Sequence, residues 1–170
     1  MKVENILTMI QDEKVKLDKI DLDILKLLCK DSTSSNTSIA NKLDKHPTTI
    51  SNHVDDLKKK GIIQGFTIQI DYEKLGFDII ALIELTVSKG KMLDVEKEIA
   101  ENPNVFAVYD LTGQYDALVL ARFRNRKELS ELVKNINSLT NVIRTNTHII
   151  LNIIKDGSDF SELMSKTLEE

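Results

Sequence analysis

The sequence contains little of what marks disulfide-rich, metal-binding or membrane-spanning proteins. Among its 170 residues are one cysteine, two prolines and no tryptophan, so no second thiol is available for an internal disulfide or a thiolate metal site. No apolar run approaches the roughly 20 residues of a membrane span, and the acidic Glu4 and Asp12 do not fit a signal peptide. We therefore expect a cytoplasmic protein without membrane contact. Cys29 lies in an apolar helical stretch and is expected to be a buried structural thiol.

Charge is distributed unequally along the chain, whose net charge is −4. Residues 1–71 contain 11 lysines and 11 acidic residues and so balance to zero, whereas residues 72–170 contain 12 lysines and arginines against 16 acidic residues. No arginine precedes Arg122. Any phosphate contact made by the first half must therefore come from lysines, hydroxyls and backbone N–H groups.

Three amphipathic helices are predicted between residues 18 and 61, because apolar residues recur there at helical spacing. Their apolar positions are Ile24, Leu25, Leu27 and Leu28, then Ile39, Ala40 and Leu43, then Ile50, Val54 and Leu57. The boundary signals are Asp18 or Asp21 before the first helix, Asn36 or Thr37 before the second, and Pro47 and Gly61 around the third. Residues 1–17 are expected to form an N-terminal arm or short helix.

Beyond Gly61 the apolar period changes to two, which predicts a half-exposed strand ending at Asp71. Three helices and a strand indicate a winged helix-turn-helix DNA-binding domain over residues 18–71. The rest is predicted to contain strands at 78–88, 105–111, 116–123 and 142–154 and helices at 92–102 and 126–137. This βαββαβ order is the ferredoxin-like arrangement, so the fold class is α+β, with a second domain over residues 72–170 that ends in a C-terminal tail.

Both faces of the predicted sheet carry apolar residues. In the first strand Ile79, Ala81, Ile83 and Leu85 alternate with Ile80 and Leu82, and in the last Ile143, Ile149, Leu151 and Ile153 alternate with Ile150 and Ile154. Two helices can cover only one face. We therefore expect a homodimer or larger assembly in which a second copy covers the other face.

The third helix is the predicted recognition helix, whose outward residues enter the major groove of double-stranded DNA. The residues expected to contact DNA are Thr37, Thr48, Thr49, Ser51, Asn52, His53, Lys58 and Lys59. Asparagine pairs with adenine, and hydroxyls bind phosphate. Asp55 and Asp56 repel phosphate unless the lysines at positions 58–60 neutralise them. Because His53 gains charge below about pH 6.5, binding is expected to strengthen on mild acidification.

A loop between the second and third strands of the second domain is the candidate effector site. Gly113, Gln114, Tyr115 and Asp116 form it: the glycine exposes backbone N–H groups that bind a carboxylate, and Asp116 accepts from an ammonium group. An ordinary hairpin turn has the same composition. Arg144, Asn146 and His148 share one face of the last strand. Their side chains are expected to contact the ligand, to be solvated or to lie in an interface.

The order of these parts resembles the Lrp/AsnC family of transcriptional regulators from Leu17 onward. Residues 17–25, 39–43, 49–65, 112–116 and 142–151 carry the resemblance. It implies a homodimer that assembles further into tetramers or octamers, and an effector, expected to be an amino acid, bound near Gly113–Asp116. It also implies that Asn52, His53, Asp55 and Asp56 stand where family members often have arginine or lysine.

Two other functions are compatible with parts of this pattern. Asp55 and Asp56 favour a ligand sensor or partner protein that makes no sequence-specific DNA contact. Some relatives of the family are tetrapyrrole decarboxylases, but the only histidines are His46, His53 and His148, and no nucleophile–base pair or metal-ligand spacing is found. We expect a DNA-binding regulator that has no enzymatic activity, metal or cofactor.

Overall fold

A computed structural model describes residues 15–88, 90–155 and 157 of the chain. These residues fall into two compact units that divide between Ile68 and Gln69. The domain boundary placed after residue 71 stays a prediction, and most of the N-terminal arm lies outside the described residues. No helix in the described ranges is both long and apolar enough to cross a membrane.

The first unit contains three helices whose ends are set by local side-chain contacts. They are α1 (Lys19–Lys30), α2 (Asn36–Leu43) and α3 (Pro47–Lys59). Asp18 caps α1 by accepting from the Asp21 N–H, and Asp21 accepts from the Asp18 N–H in return, a reciprocal capping box. The cap of α2 is Ser35, not Asn36 or Thr37 as predicted. The Ser35 hydroxyl accepts from the N–H of Ser38. Ser35 therefore caps the helix start in place of either predicted residue.

Helix α3, the predicted recognition helix, begins and ends where its sequence signals predict. Pro47 occupies the first turn, where its missing N–H costs no hydrogen bond, and His46 precedes it as the cap. Gly61 has a φ of +71°, a left-handed conformation that glycine adopts without strain and that ends the helix after Lys60.

The first unit has a small apolar core. Its buried members are Ile24, Ile39, Ala40, Ile50, Val54 and Leu57. All were predicted core positions; Leu25, Leu27, Leu28 and Leu43 pack against them half-buried. Cys29 is exposed, so its predicted burial is wrong. It follows Ile24 by five positions, about 140° around the helix from that buried side chain, and so lies outside the apolar stripe.

The segment after α3 has the alternation of a strand but no ladder. Residues 65–71 are assigned to no strand within the described chain, so the predicted paired wing strand is not formed there. Phe66 and Ile68 are 52% and 77% exposed. The physical reason is that alternation sets which side chains share a face, whereas a strand also requires a neighbour for its N–H and C=O groups.

The second unit is the predicted βαββαβ arrangement. After a short 3₁₀ helix at Glu73–Leu75 come β1 (Ile79–Val87), α4 (Met92–Ala100), β2 (Val105–Asp110), β3 (Ala117–Phe123), α5 (Arg126–Ser138) and β4 (Val142–Ile150). The sheet is antiparallel with order β2-β3-β1-β4. The last strand ends at Ile150, not at residue 154, because its ladder with β1 stops where Ile80 pairs with Ile150.

Among the described elements of the second unit, α4 and α5 cover one face of the sheet, and none covers the other. The covered face carries a core formed by Ala81, Ile83, Leu85, Val87, Val95, Ile99, Ala117, Val119, Ala121, Phe123, Leu129, Leu132 and Ile136. The register places Leu82 beside Leu120, and Leu118 beside Tyr109 and Glu84, on the opposite side. We call this opposite side the open face. Its alternation agrees with the pattern predicted for the first strand.

Glu96 on α4 has a carboxylate oxygen without a partner. Its Oε1 is buried and makes no hydrogen bond to the part of the chain that is described. Burial, together with the nearby carboxylate of Asp110, raises the pKa of the Glu96 carboxyl. Ionised Glu96 therefore lowers the stability of the second unit.

Glu96→Gln is expected to raise the thermal midpoint at pH 7 and to leave it nearly unchanged at pH 4. The folded state holds the Glu96 proton more tightly than the unfolded chain does. The contribution of this carboxyl to the free energy of unfolding is therefore complete below about pH 4 and is lost as pH rises through the raised pKa. Glutamine stays neutral and avoids the loss. Thermal unfolding at both pH values measures the difference, with Glu98→Gln as a control for removing one charge from the same helix. Equal shifts at both pH values would contradict the account.

Candidate nucleic-acid interface and effector loop

The recognition helix presents a polar face because its apolar residues all turn inward. With Ile50, Val54 and Leu57 buried, Thr48 and Asn52 are exposed, while Thr49, Ser51 and His53 are half-buried. Thr37 on α2 and Lys58 and Lys59 at the end of α3 are exposed as well. The exposed polar side chains that α3 carries along its first turns are therefore hydroxyls and an amide, as a base-reading surface requires.

The start of α3 is held by His46. Its Nδ1 accepts from the N–H of Thr48 at 3.3 Å and lies 3.1 Å from the hydroxyl oxygen of the same residue. This contact orients Thr48 in the first turn of α3. His46 was not among the predicted site residues, and its position immediately before the N1 proline makes it the cap.

His53 contacts the inside of the first unit. Its Nδ1 lies 2.7 Å from Oδ1 of Asp21, the residue that also closes the α1 capping box. Sequence reasoning placed both residues but not their contact, because 32 positions separate them. Asp18, Asp21 and His53 bring one ligand atom each within 4.8 Å of one another, and their mutual hydrogen bonds account for this cluster.

The carboxylates on α3 differ in their surroundings. Asp56 forms an ion pair with Lys60 one turn later, and this hydrogen bond lowers the pKa of Asp56 and raises that of Lys60. Neutralisation of Asp56 by a lysine at i+4 was predicted and is confirmed. Lys58 lies 5.7 Å from the ring centre of Phe66.

The candidate effector loop is anchored to β1 through Asp116. The N–H of Asp116 donates to the Leu85 carbonyl at 2.8 Å, and its Oδ2 accepts from the N–H of Val87 at 2.9 Å. Gly113 has a φ of +130°, and a Cβ atom placed on this residue would have no other atom within 4 Å. The loop is therefore fixed at its base and open at its tip, where Gly113 and Gln114 are exposed.

A polar cluster lies beside this loop on the open face. Asn146 Nδ2 donates to Glu84 Oε2 at 2.9 Å and lies 3.4 Å from the Tyr115 hydroxyl. His148 Nε2 lies 3.1 Å from the same Glu84 oxygen, and the Arg144 guanidinium lies 5.9 Å from the Tyr115 ring centre. The predicted shared face of Arg144, Asn146 and His148 is thereby brought together with Tyr115. Sequence reasoning missed Glu84, which joins the cluster only through strand register.

Both units match models of known protein families. A model described as the Lrp/AsnC ligand binding domain matches residues 80–160, and one described as winged helix-turn-helix DNA-binding matches residues 17–64. The HTH-type transcriptional regulator PH1692 of Pyrococcus horikoshii is 40% identical over 142 residues, which are 84% of this chain and 96% of that protein. The similarity therefore spans both units of the chain.

Solved structures share the fold at lower identity. AsnC of E. coli superposes with a TM-score of 0.80 at 23% identity, covering 85% of this chain and 98% of that one. The Neisseria meningitidis transcriptional regulator NMB0573, solved as an L-Met complex, superposes with a TM-score of 0.77 at 23% identity, covering 83% and 94%. The helical unit and the four-stranded sheet thus occur together in other proteins.

Proposed function

Because this chain belongs to the Lrp/AsnC family of transcriptional regulators, we propose that it reads a specific DNA sequence through α3 under control of a small molecule bound by its second unit. The observation that carries the DNA-reading proposal is the outward polar face of α3, with Thr48 and Asn52 exposed above a fully buried apolar stripe. The relative named above is called a transcriptional regulator, so we propose no catalytic activity. A cytoplasmic location follows from access to DNA.

Asn52→Ala is expected to weaken binding to the preferred DNA sequence by roughly 5- to 150-fold. An asparagine that pairs with adenine through two hydrogen bonds contributes about 1–3 kcal/mol of discrimination, and alanine at an exposed helix position preserves the fold. Mobility-shift titrations with the DNA upstream of this gene, at several salt concentrations, measure the change. Asn135→Ala, at an exposed position of α5, is the matched control.

The same titration separates the two candidate functions. Few cations flank α3, and Asp55 is an exposed carboxylate, so we expect a shallow dependence of affinity on salt. Absence of binding by the parent protein even at low salt would instead favour the sensor without DNA contact. Equal affinities of Asn52→Ala and the parent would remove Asn52 from the interface.

We propose an amino acid as the small molecule. The support is the open tip at Gly113 and Gln114, the family match of this unit, and the L-Met complex of a structural neighbour. Thermal unfolding with each of the twenty amino acids tests the proposal. A ligand at one hundred times its dissociation constant adds about 2.7 kcal/mol of stability, so a selective rise of the midpoint is expected.

Gly113→Val is expected to abolish that ligand-dependent rise. A β-branched residue is strained at a φ of +130°, so the loop backbone must change where the ligand's carboxylate is proposed to bind. Gly65→Val, where φ is not positive and a Cβ has open space, should retain the rise. If no amino acid stabilises the parent protein, the effector belongs to another chemical class.

A homodimer is the proposed building block, with further assembly into tetramers or octamers implied by the family. Two features support it. The leucines of the open face are half-buried, and Phe66 and Ile68 are exposed in residues 65–71, which pair with no strand of the described chain. Apolar patches of this kind mark association surfaces on soluble proteins. A second copy would cover them symmetrically.

A further inference from the structure

The first unit has one buried charged side chain among its described residues, and this side chain contacts the recognition helix. Asp21 is 4% exposed, and its Oδ1 lies 2.7 Å from Nδ1 of His53. A buried carboxylate is strongly unfavourable unless hydrogen bonds satisfy it. The contact with α3 is therefore part of what makes the burial of Asp21 tolerable.

The orientation of the Asp21 carboxylate is fixed by the start of α1. Its second oxygen, Oδ2, accepts from the Asp18 N–H at 3.1 Å, while the Asp21 N–H donates to Asp18 Oδ1 at 2.8 Å. Rotation of the carboxylate would break this reciprocal cap. Oδ1 consequently faces His53 as a fixed acceptor.

A fixed acceptor determines which nitrogen of His53 carries the proton. An ionised carboxylate has no hydrogen to donate, so Nδ1 must be the N–H donor of this contact. In the neutral ring Nε2 is then an acceptor, and in the protonated ring it is a second donor. Nε2 has no hydrogen-bond partner within the described residues, and the His53 side chain is 24% exposed.

These two states of Nε2 recognise different base edges. An acceptor in the major groove pairs with the amino group of adenine or cytosine, whereas a donor pairs with N7 of either purine, O6 of guanine or O4 of thymine. The nitrogen that carries the proton in the neutral ring therefore decides which base edge Nε2 can meet.

We propose that Asp21 is a positioning residue for DNA recognition: it holds His53 with Nδ1 protonated, so that Nε2 of the neutral ring accepts from the amino group of adenine or cytosine. The inference rests on the proposed DNA-reading function, because α3 must lie in the major groove for Nε2 to meet a base. Asp21 itself touches no DNA in this scheme.

The first test examines the ring in the full-length protein without DNA. Nitrogen-15 chemical shifts of the imidazole report which nitrogen is protonated, and at pH 8 we expect the Nδ1–H form for His53. In Asp21→Asn the carboxamide can donate to Nδ1, so the Nε2–H form should appear; Asp23→Asn, on the same helix, should leave the ring unchanged. An Nε2–H ring in the parent protein would overturn the proposal, whether or not Asp21→Asn folds.

The second test selects binding sequences from randomised duplex DNA at pH 8. The parent protein is expected to prefer adenine or cytosine at the base pair that His53 contacts, and Asp21→Asn, with Nε2 as a donor, is expected to lose this preference. His53→Ala should lose it as well but still enrich a sequence. A preference that is unchanged in Asp21→Asn or in His53→Ala would overturn the proposal alone, whereas failure to enrich any sequence would contradict the DNA-reading function itself.

Discussion

Leu120→Asp is expected to convert the assembled protein into folded monomers that bind DNA at least tenfold more weakly. Leu120 lies on the open face, paired with Leu82 of β1 and Ala107 of β2. If a second copy covers this face, the substitution places an unpaired carboxylate in an apolar interface at a cost of several kcal/mol. A monomer also loses the second recognition helix, and with it the half-site that a dimer would contact.

Sedimentation equilibrium at micromolar concentration measures the expected loss of mass, and mobility shifts measure the loss of affinity. Ser130→Asp is the matched control, because it adds the same charge at an exposed position of α5 on the covered side of the sheet. Circular dichroism should show both variants folded. If Leu120→Asp sediments as the parent does, the open face is not the association surface.

Ile50→Ala is expected to abolish DNA binding by unfolding the first unit. Ile50 is fully buried in the first turn of α3, and truncating a buried isoleucine to alanine costs about 2–5 kcal/mol. A unit of roughly 50 residues has only about 3–8 kcal/mol of stability in total at 0.05–0.15 kcal/mol per residue. The substitution therefore removes most of the stability on which the recognition helix depends.

Amide spectra of the variant should lose the dispersed signals of residues 19–63, and mobility shifts should show no complex at concentrations that saturate the parent. Ile143→Ala makes the same chemical change at a position that is 66% exposed, and its effect should stay within about 0.5 kcal/mol, as for surface substitutions. Unchanged DNA affinity in Ile50→Ala would mean that the core of the first unit is more tolerant than its size indicates.

The elements that follow from local pattern were largely predictable. The apolar spacing of Ile50, Val54 and Leu57, with Pro47 before them and Gly61 after them, indicated α3 and both of its ends. Caps were less predictable, because Ser35, Asn36 and Thr37 all have suitable side chains and only the backbone path selects one. The prediction that Cys29 is buried was wrong. Each step of one residue along a helix turns the side chain by about 100°, so the residue after an apolar one can face solvent.

The polar sites depended on contacts that no local pattern contains. Asp116 was predicted to bind an ammonium group, and the structure shows one of its oxygens used by the N–H of Val87. Glu84 joined Asn146 and His148 because β1 and β4 pair in one register. A register shifted by one residue would have moved Glu84 to the covered face.

The amino-acid sequence by itself determined the helices, the strand alternation and the order of the two units, since helix periodicity, capping and turn residues act over a few neighbouring positions. Tertiary structure decided which distant groups meet. Asp21 and His53 stand 32 positions apart and come within hydrogen-bonding distance only because α1 and α3 pack on one core. Likewise, residues 65–71 have the alternation of a strand but pair with no other strand of the described chain, because the hydrogen bonds of a strand depend on its neighbour as much as on itself.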